Sequence, residues 1–600
     1  MPPARFLVVP CLEPGRGGGH LSRCLALVSA LRRQGREAML CAPAPLAAGL
    51  SARIAALDDG FDPMWILNYE GCAPRPAPSA APAGVLVILD RFATPPREFR
   101  AWAALGPVAG IDEGGPCRAA FDFLIDLLPA LPGRRPANLS APRLLPLPMR
   151  RRASFAERAS PGGPLRVLLS FGAEDAAGMG AAVMEALAPL AGTRVILEQA
   201  RGVPRLKERL ADYDLLITHF GLSAFEALYA RVPVLLLSPT RYHEALSRAA
   251  GFISAGRGPH AALRLRALIS DDAVAERCAA LAARWHLEDE APRDGLAALF
   301  LQAEAPRAPR ACPCCGAVWG SKVRPGRVYH VHDRGYRRCP VCGTFAMLRL
   351  DRAPVTYDKE YFFGRYQAQY GKTYLEDFPA LRAAARRRIA VLSTLTGGSL
   401  RGRRVLDIGC AYGAFLAEAK DAGALCEGLE PIGDAAAYVR KTLGIPCAEG
   451  FFPPSPPLAP ASFDVVTLWY VIEHFEDPAA VLREARRLLK PGGILAFATP
   501  SASGISARAS LIAFLEKSPP DHWTIWRPAR CRALLKRHGF RLKRVVITGH
   551  HPERFPLAGK RDGPWRRLLG LASRLFRLGD TFEVYAVTTV NELKKSGGGP

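Results

Sequence analysis

Long apolar runs are missing from this chain. Across 600 residues no stretch reaches the roughly eighteen consecutive apolar positions that a membrane-spanning helix needs. The N-terminal run Phe6–Pro10 follows a single arginine, Arg5, and leads directly into a glycine loop, so it is too short for a secretory core. Most of the fifteen cysteines stand alone in apolar segments, as Cys41, Cys117 and Cys278 do, which suits a reducing compartment better than a disulfide framework. These absences place the chain in the cytoplasm as an expectation. Lysine is sparse beside arginine, and the net charge of +25 comes with abundant alanine, glycine and proline. A basic balance of that kind is compatible with anionic substrates, phosphates or a membrane surface and selects none of them. With 49% apolar residues, a chain of this length is expected to form several well-cored domains.

The most informative stretch is Arg404 to Glu430, RVLDIGCAYGAFLAEAKDAGALCEGLE. It reads as strand, glycine turn, helix and a second strand ending in a carboxylate, the first βαβ unit of a nucleoside-binding sheet. Gly409 and Gly413 allow a tight backbone turn against a ligand, and Glu430 stands where a carboxylate can take both hydroxyls of a ribose. A dinucleotide site would use similar parts.

The run resembles the class I S-adenosylmethionine-dependent methyltransferases, with Asp407, Gly409 and Gly413 matching their first motif and Glu430 their ribose-binding acid. Ala411 replaces the commoner middle glycine. The resemblance continues through VVTLWYVIEHFEDP and LREARRLLKPGGILAFATP, the fourth strand with its loop and the next helix, turn and strand. It implies S-adenosylmethionine as cofactor, Asp407 near its charged methionine end and Glu449 against adenine. His474 is then a candidate base for a hydroxyl acceptor, beside Glu473 in the same loop. Further on, PPDHWTIWRP and TGHHPERFP add His522, His550 and His551 as acceptor-pocket candidates, a pattern similar to methyltransferases of surface-glycan or modified-sugar pathways.

The N-terminal part starts a second strand, loop and helix unit. Gly17, Gly18 and Gly19 allow close approach by a ligand, and His20 sits where the loop enters a helix expected over residues 21–34. Strands ending in Asp90 and Asp112 follow, then a proline- and arginine-rich connection near residue 150, then a repeat of the pattern at LRVLLSFGAED. Two such halves resemble the GT-B glycosyltransferases, nearest to the nucleotide-sugar hydrolases of pseudaminic acid synthesis. The resemblance implies a catalytic role for His20, phosphate-side contact at Gly172 and Asp175, and a uridine-ribose role for Glu226. Ala173, Glu174 and His243-Glu244 depart from the family pattern.

Between these parts Cys312, Cys315, Cys339 and Cys342 form two CxxC pairs, each on a tight knuckle. Four thiolates at this spacing predict a structural zinc with no open coordination position, and Cys314, His330 and His332 are alternative ligands. The helix carrying Arg566, Arg567, Arg574 and Arg577 among leucines is read as cover for the sheet, with a place on a membrane as the alternative.

The expected architecture is α/β: a GT-B-like first Rossmann domain (1–150), a nucleotide-sugar-binding second one (151–305), a zinc ribbon (306–350) and a class I methyltransferase domain (351–597). The functional reading is a methyltransferase acting on a sugar or glycan intermediate, fused to a UDP-sugar hydrolase or glycosyltransferase. The alternatives are a zinc-ribbon RNA methyltransferase and a non-catalytic docking module in the first half. WYVIEHFEDP lacks the Asn/Asp-Pro-Pro-aromatic motif of many base-amino methylators, which counts against nucleic acid as partner.

Overall fold

The computed structural model describes residues 5–13, 18–44, 47–58, 60–74, 84–131, 133–159, 161–172, 175, 177–200, 206–258, 260–292, 294–302, 310–319, 326–350, 371–555 and 564–589. Gly17, Ala173 and Glu174 lie outside them, as does YDKEYFFGRYQAQY at 357–370, an aromatic-rich sequence preceding the methyltransferase segment whose tyrosines are candidates to line a substrate mouth. The chain divides into two compact units, residues 1–308 with 330–335 and 348–352, and residues 309–329 with 336–347 and 353–600.

In the first unit, β1 (Arg5–Pro10), β2 (Ala38–Pro43), β3 (Ile66–Tyr69), β4 (Val85–Asp90), β5 (Val108–Ile111), β6 (Phe123–Asp126) and β7 (Leu139–Ser140) form a parallel sheet of order β3-β2-β1-β4-β5-β6-β7. A second parallel sheet contains β8 (Leu165–Ser170), β9 (Val195–Gln199), β10 (Leu215–Thr218), β11 (Val234–Leu237) and β12 (Ser254–Gly256) in the order β12-β11-β10-β8-β9. Near-continuous apolar strands such as VLVILD bury every residue, because parallel sheets are covered on both faces. The order reverses at β1/β4 and at β8/β10, and open sheets of this kind bind ligands outside the carboxyl ends at such points.

The strands β13 (Val328–Val331), β14 (Arg334–Arg338) and β15 (Phe345–Arg349), whose residues are divided between the two units, form a small ribbon, and the main sheet of the second unit follows it in the chain. That sheet has β16 (Arg404–Ile408), β17 (Leu425–Glu430), β18 (Cys447–Glu449), β19 (Phe463–Trp469) and β20 (Leu489–Pro500). β21 (Thr524–Ile525) leaves it to pair antiparallel with β15, whereas β22 (Phe540–Thr548) and β23 (Thr581–Thr588) close its far edge antiparallel. The order is β18-β17-β16-β19-β20-β23-β22, with the switch point between β16 and β19. The fold is therefore mixed α/β with several Rossmann-like parallel sheets.

Two expectations shift. The first helix begins at Gly19 rather than residue 21, so His20 is part of its first turn. The helix Pro564–Leu575, expected to cover the sheet, buries Leu569 and Ser573 while Leu568, Leu571 and Leu575 stay exposed. Among the described residues no helix is long and apolar enough to cross a membrane.

Candidate active site

At the carboxyl end of β16, Asp407 is buried and accepts a 2.6 Å hydrogen bond from the Thr467 hydroxyl. One strand over, Glu430 accepts from the backbone N–H of Ala411 at 2.8 Å and of Ile432 at 3.0 Å, clasping the turn between β16 and the following helix. Burial pushes both carboxyls up to about 7, outweighing the hydrogen bonds they accept and, at Asp407, the charge of Arg388. The turn is steric as well as flexible. Gly409 has φ 66° and a Cβ there would stand 2.6 Å from Val471 Cγ2, while Gly413 has φ 78° with Leu443 Cδ1 at 2.7 Å from the same construction. Glu449 ends β18 in register with Glu430 and is exposed.

Ala411 holds φ 50°, a left-handed conformation that disfavours a Cβ. Ala411→Gly is expected to stabilise the second unit by about 1 kcal/mol, read as a rise in denaturant midpoint at constant slope. An unchanged or lowered midpoint would show that the alanine is unstrained.

The loop after β19 carries the acceptor-side groups. His474 Nδ1 lies 3.0 Å from Asp521 Oδ2, and the His522 ring meets the His474 ring edge-on at 4.8 Å. Burial alone would lower the His474 imidazole, but the hydrogen bond and charge of Asp521 prevail and raise it. Glu473 is buried, its carboxyl is pushed up to about 7, and its Oε2 has no hydrogen-bond partner. His550 Nδ1 bonds Ser573 Oγ at 2.8 Å and the exposed His551 pairs with Glu553 at 2.9 Å, so neither joins the His474–Asp521 pair. Arg388, on the helix Phe378–Leu395, stacks 4.1 Å over Trp469 and bonds Glu583 at 2.8 Å. Asp521 and Arg388 have no motif of their own; the only sequence signal for Asp521 is its place beside His522.

A second group of side chains converges at the carboxyl edge after β20. Arg508 Nε donates to the Ser503 carbonyl at 3.0 Å, and Arg527 Nε to the Ser503 hydroxyl at 3.3 Å. Burial and the like charges of Arg338, Arg530 and Arg508 hold the Arg527 guanidinium below its ordinary value. Among the described residues no carboxylate lies within ion-pair distance of these four arginines, which sequence reading passed over because they come from separate elements.

The four cysteine sulfurs lie within 4.8 Å of one another, with Cys312–Cys342 at 3.5 Å and Cys315–Cys339 at 3.7 Å. A zinc tetrathiolate has sulfur edges of about 3.8 Å, whereas a disulfide bond is about 2.05 Å long. Each knuckle closes the same way, Gly316 N–H to the Cys312 carbonyl and Gly343 N–H to the Cys339 carbonyl, both at 2.9 Å. The donor set fits a closed metal site. His330 Nε2 instead lies 3.1 Å from the Phe121 carbonyl, and the Cys314 carbonyl accepts from His538 at 2.7 Å.

In the first unit, His20 Nδ1 lies 2.5 Å from Asp90 Oδ1 at the end of β4. Arg23, one turn along the same helix, bridges Asp90 to Asp112, whose other oxygen accepts from Leu127 and Leu128 N–H at 2.8 and 2.9 Å. Burial would raise Asp90, but Arg23 and His20 hold it well below the usual carboxylate range. Gly18 caps the helix, and a Cβ on Gly19 would stand 3.0 Å from Leu222 Cδ1, at the start of the helix Leu222–Tyr229. Gly172 has φ 81° and lies near His219, whose ring meets that of His243 at 5.7 Å. Glu226 is pushed up to about 7 by burial. Asp175 caps the helix Met179–Leu187, accepting from Met179 N–H at 2.9 Å and Gly180 N–H at 2.8 Å. That bonding engages both of its oxygens locally.

The parallel sheet with its switch point at β16/β19 and a carboxylate beyond each neighbouring strand defines a Rossmann-type nucleoside site. Residues 379–545 match the methyltransferase domain family. The ubiquinone biosynthesis O-methyltransferase of Aliivibrio fischeri strain MJ11 is 30% identical over 173 residues, 25% of this chain and 69% of that one. The protein of the same name from Bordetella bronchiseptica is 36% identical over 116 residues, 17% of this chain and 45% of its own length. A solved S-adenosylmethionine-dependent methyltransferase from Archaeoglobus fulgidus is 19% identical with TM-score 0.28, covering 38% of this chain and all of that one. Through its second unit the chain belongs to the S-adenosylmethionine-dependent methyltransferases. It spans about half the length of several of the curated relatives it matches.

Proposed function

We propose that the second unit methylates an oxygen of a sugar or glycan intermediate bearing phosphate, and that the first unit handles a nucleotide sugar. The observation that carries the methyl-transfer reading is the pair Asp407 and Glu430 around a two-glycine turn, with the His474–Asp521 pair in the loop beyond the neighbouring strand. In this reading Glu430 accepts from the ribose hydroxyls, Glu449 approaches adenine, Asp407 faces the cationic end, and Gly409 and Gly413 let the backbone close on the ligand. When bound, S-adenosylmethionine supplies a methyl group on a positively charged sulfur. His474 Nε2 takes the acceptor hydroxyl's proton while Asp521 holds Nδ1 and stabilises the imidazolium. His522 packs against that imidazole. Support for a phosphate on the acceptor comes from Arg338, Arg508, Arg527 and Arg530, which lack anionic partners among the described residues. Oxygen as the acceptor atom follows the name of the relatives. Cys312, Cys315, Cys339 and Cys342 would hold a structural zinc.

In the first unit, Asp90 fixes the His20 tautomer so that Nε2 is free to act as base on water or an acceptor hydroxyl, the arrangement of an Asp–His pair. Gly18, Gly19, Gly172 and the helix N-termini beside them suit the diphosphate of a UDP-sugar, and Glu226 its ribose.

The test is the full chain with methyl-labelled S-adenosylmethionine and a panel of free sugars, sugar phosphates and nucleotide sugars, read by mass spectrometry. Label is expected on a phosphate-bearing sugar, with transfer reduced about a hundredfold or more in His474→Ala. UDP release is expected to vanish in His20→Ala. Label appearing only on an RNA oligonucleotide would overturn the sugar reading, and UDP release unaffected by His20→Ala would leave the first unit without its assigned base.

A further inference from the structure

The helix Pro564–Leu575, PWRRLLGLASRL, sits between β22 and β23 and contains no acidic residue. At 100° per residue its side chains fall into three sectors. Leu569 and Ser573 face the second unit; both are buried, and Ser573 bonds His550. Leu568, Leu571 and Leu575 share a stripe turned well away from that side and are 56%, 64% and 74% exposed, continued past the helix end by Phe576 at 66%. Arg567 and Arg574, with Arg577 beyond the end, occupy the remaining flank, whereas Arg566 falls beside the buried side and lies 3.8 Å from Glu553. Trp565 is half-exposed at the start. The helix is thus anchored by one side and presents leucine and arginine on the others.

We infer that this helix docks the protein onto an anionic lipid surface, its leucine stripe in the headgroup–acyl boundary and its arginines on lipid phosphates. Charge complementarity selects that occupant. An apolar stripe alone would suit many partners, but here the flank beside it is uniformly cationic in a chain of net charge +25. A second copy would bring the same arginines against each other and be repelled. Arginine stems lie along apolar surface while their heads reach phosphate, and a tryptophan at the helix start is suited to the interface. A helix of twelve residues cannot span a bilayer, so the contact is peripheral and in the plane of the surface. Its consequence for the chemistry is that the bond between Ser573 and His550 ties the docked element to the unit carrying the methyltransferase site.

The experiment is flotation of the full chain with large unilamellar vesicles of phosphatidylcholine, with and without one quarter phosphatidylglycerol, at low and high salt. Binding is expected on the anionic vesicles, at least about tenfold weaker on the zwitterionic ones, and weakened by salt. Leu571→Glu with Leu575→Glu is expected to abolish it while S-adenosylmethionine affinity, measured by calorimetry, stays the same. Failure to float with anionic vesicles overturns the inference. So does undiminished flotation of the double variant, which would place the contact elsewhere on the basic surface. A dimer in solution that the double variant dissociates, without flotation, would assign the stripe to a second copy instead.

Discussion

Glu430→Ala is expected to weaken S-adenosylmethionine binding by about a hundredfold, because two hydrogen bonds to a charged acceptor are each worth about 1.5 kcal/mol or more. The same substitution strips the partner from Ala411 and Ile432 N–H, which loosens the turn that shapes the pocket. Glu430→Gln keeps the side-chain volume and one of the two acceptor oxygens, so it is expected to loosen the turn less than the alanine does while still losing most of the affinity. Isothermal calorimetry gives the affinities, and an unchanged value in both variants would remove Glu430 from the site.

The same carboxylate makes a pH prediction. Folding raises Asp407 from 3.8 and Glu430 from 4.5 to about 7 through burial. The folded chain then holds more protons than the unfolded one between about pH 4.5 and 7, so these groups make stability fall as pH rises through that window. A cationic ligand reverses the balance by favouring their charged forms. Affinity for S-adenosylmethionine is therefore expected to rise between pH 6 and 8 with protons released, detected as a binding enthalpy that depends on the buffer's ionisation heat. Proton uptake would contradict the placement of Asp407 against the cation and of an ionised Glu430 on the ribose hydroxyls.

Removing metal is expected to be more damaging still. The sulfurs of Cys312, Cys339 and Cys342 share one apolar cluster with Leu406, Phe497, Trp526 and Phe582, so the ribbon and the main sheet have a common core. β15 pairs with β21 through Phe345 opposite Ile525, and Met347 N–H donates to the Trp523 carbonyl at 2.9 Å. The segment so held begins just after Asp521 and His522. A chelator, or Cys339→Ser, is expected to release about one zinc per chain, lower the melting temperature of the second unit by more than about 10 °C and abolish methyl transfer. Mass spectrometry for metal and calorimetry for melting check it. A protein that is metal-free as isolated and melts unchanged would sink the zinc assignment.

The local elements were legible because each rests on neighbouring residues. An apolar run ending in a carboxylate and followed by a glycine turn can be read from a dozen positions, so β16, β17 and the residues Asp407, Gly409, Gly413 and Glu430 stand out directly. Two CxxC pairs announce their own geometry. Groups that act through long-range partners were harder. Asp90 was visible as the end of a strand but not as the partner of His20, seventy positions earlier. Asp175 looked like a phosphate contact and is bonded to the start of its own helix.

Strand-turn-helix order and cysteine spacing determined by themselves that this chain builds parallel α/β sheets and pairs its cysteines on two knuckles, since short-range periodicity and backbone sterics encode those features, whereas the methyltransferase core was read from the resemblance of the run around Asp407 to a known family. Only the tertiary structure decided that His474 meets Asp521, that Arg338, Arg508, Arg527 and Arg530 gather with no carboxylate at ion-pair distance among the described residues, and that the leucines of the Pro564–Leu575 helix face outward. Those outcomes depend on which separate segments pack together, and that is settled by the burial of side chains far apart in sequence.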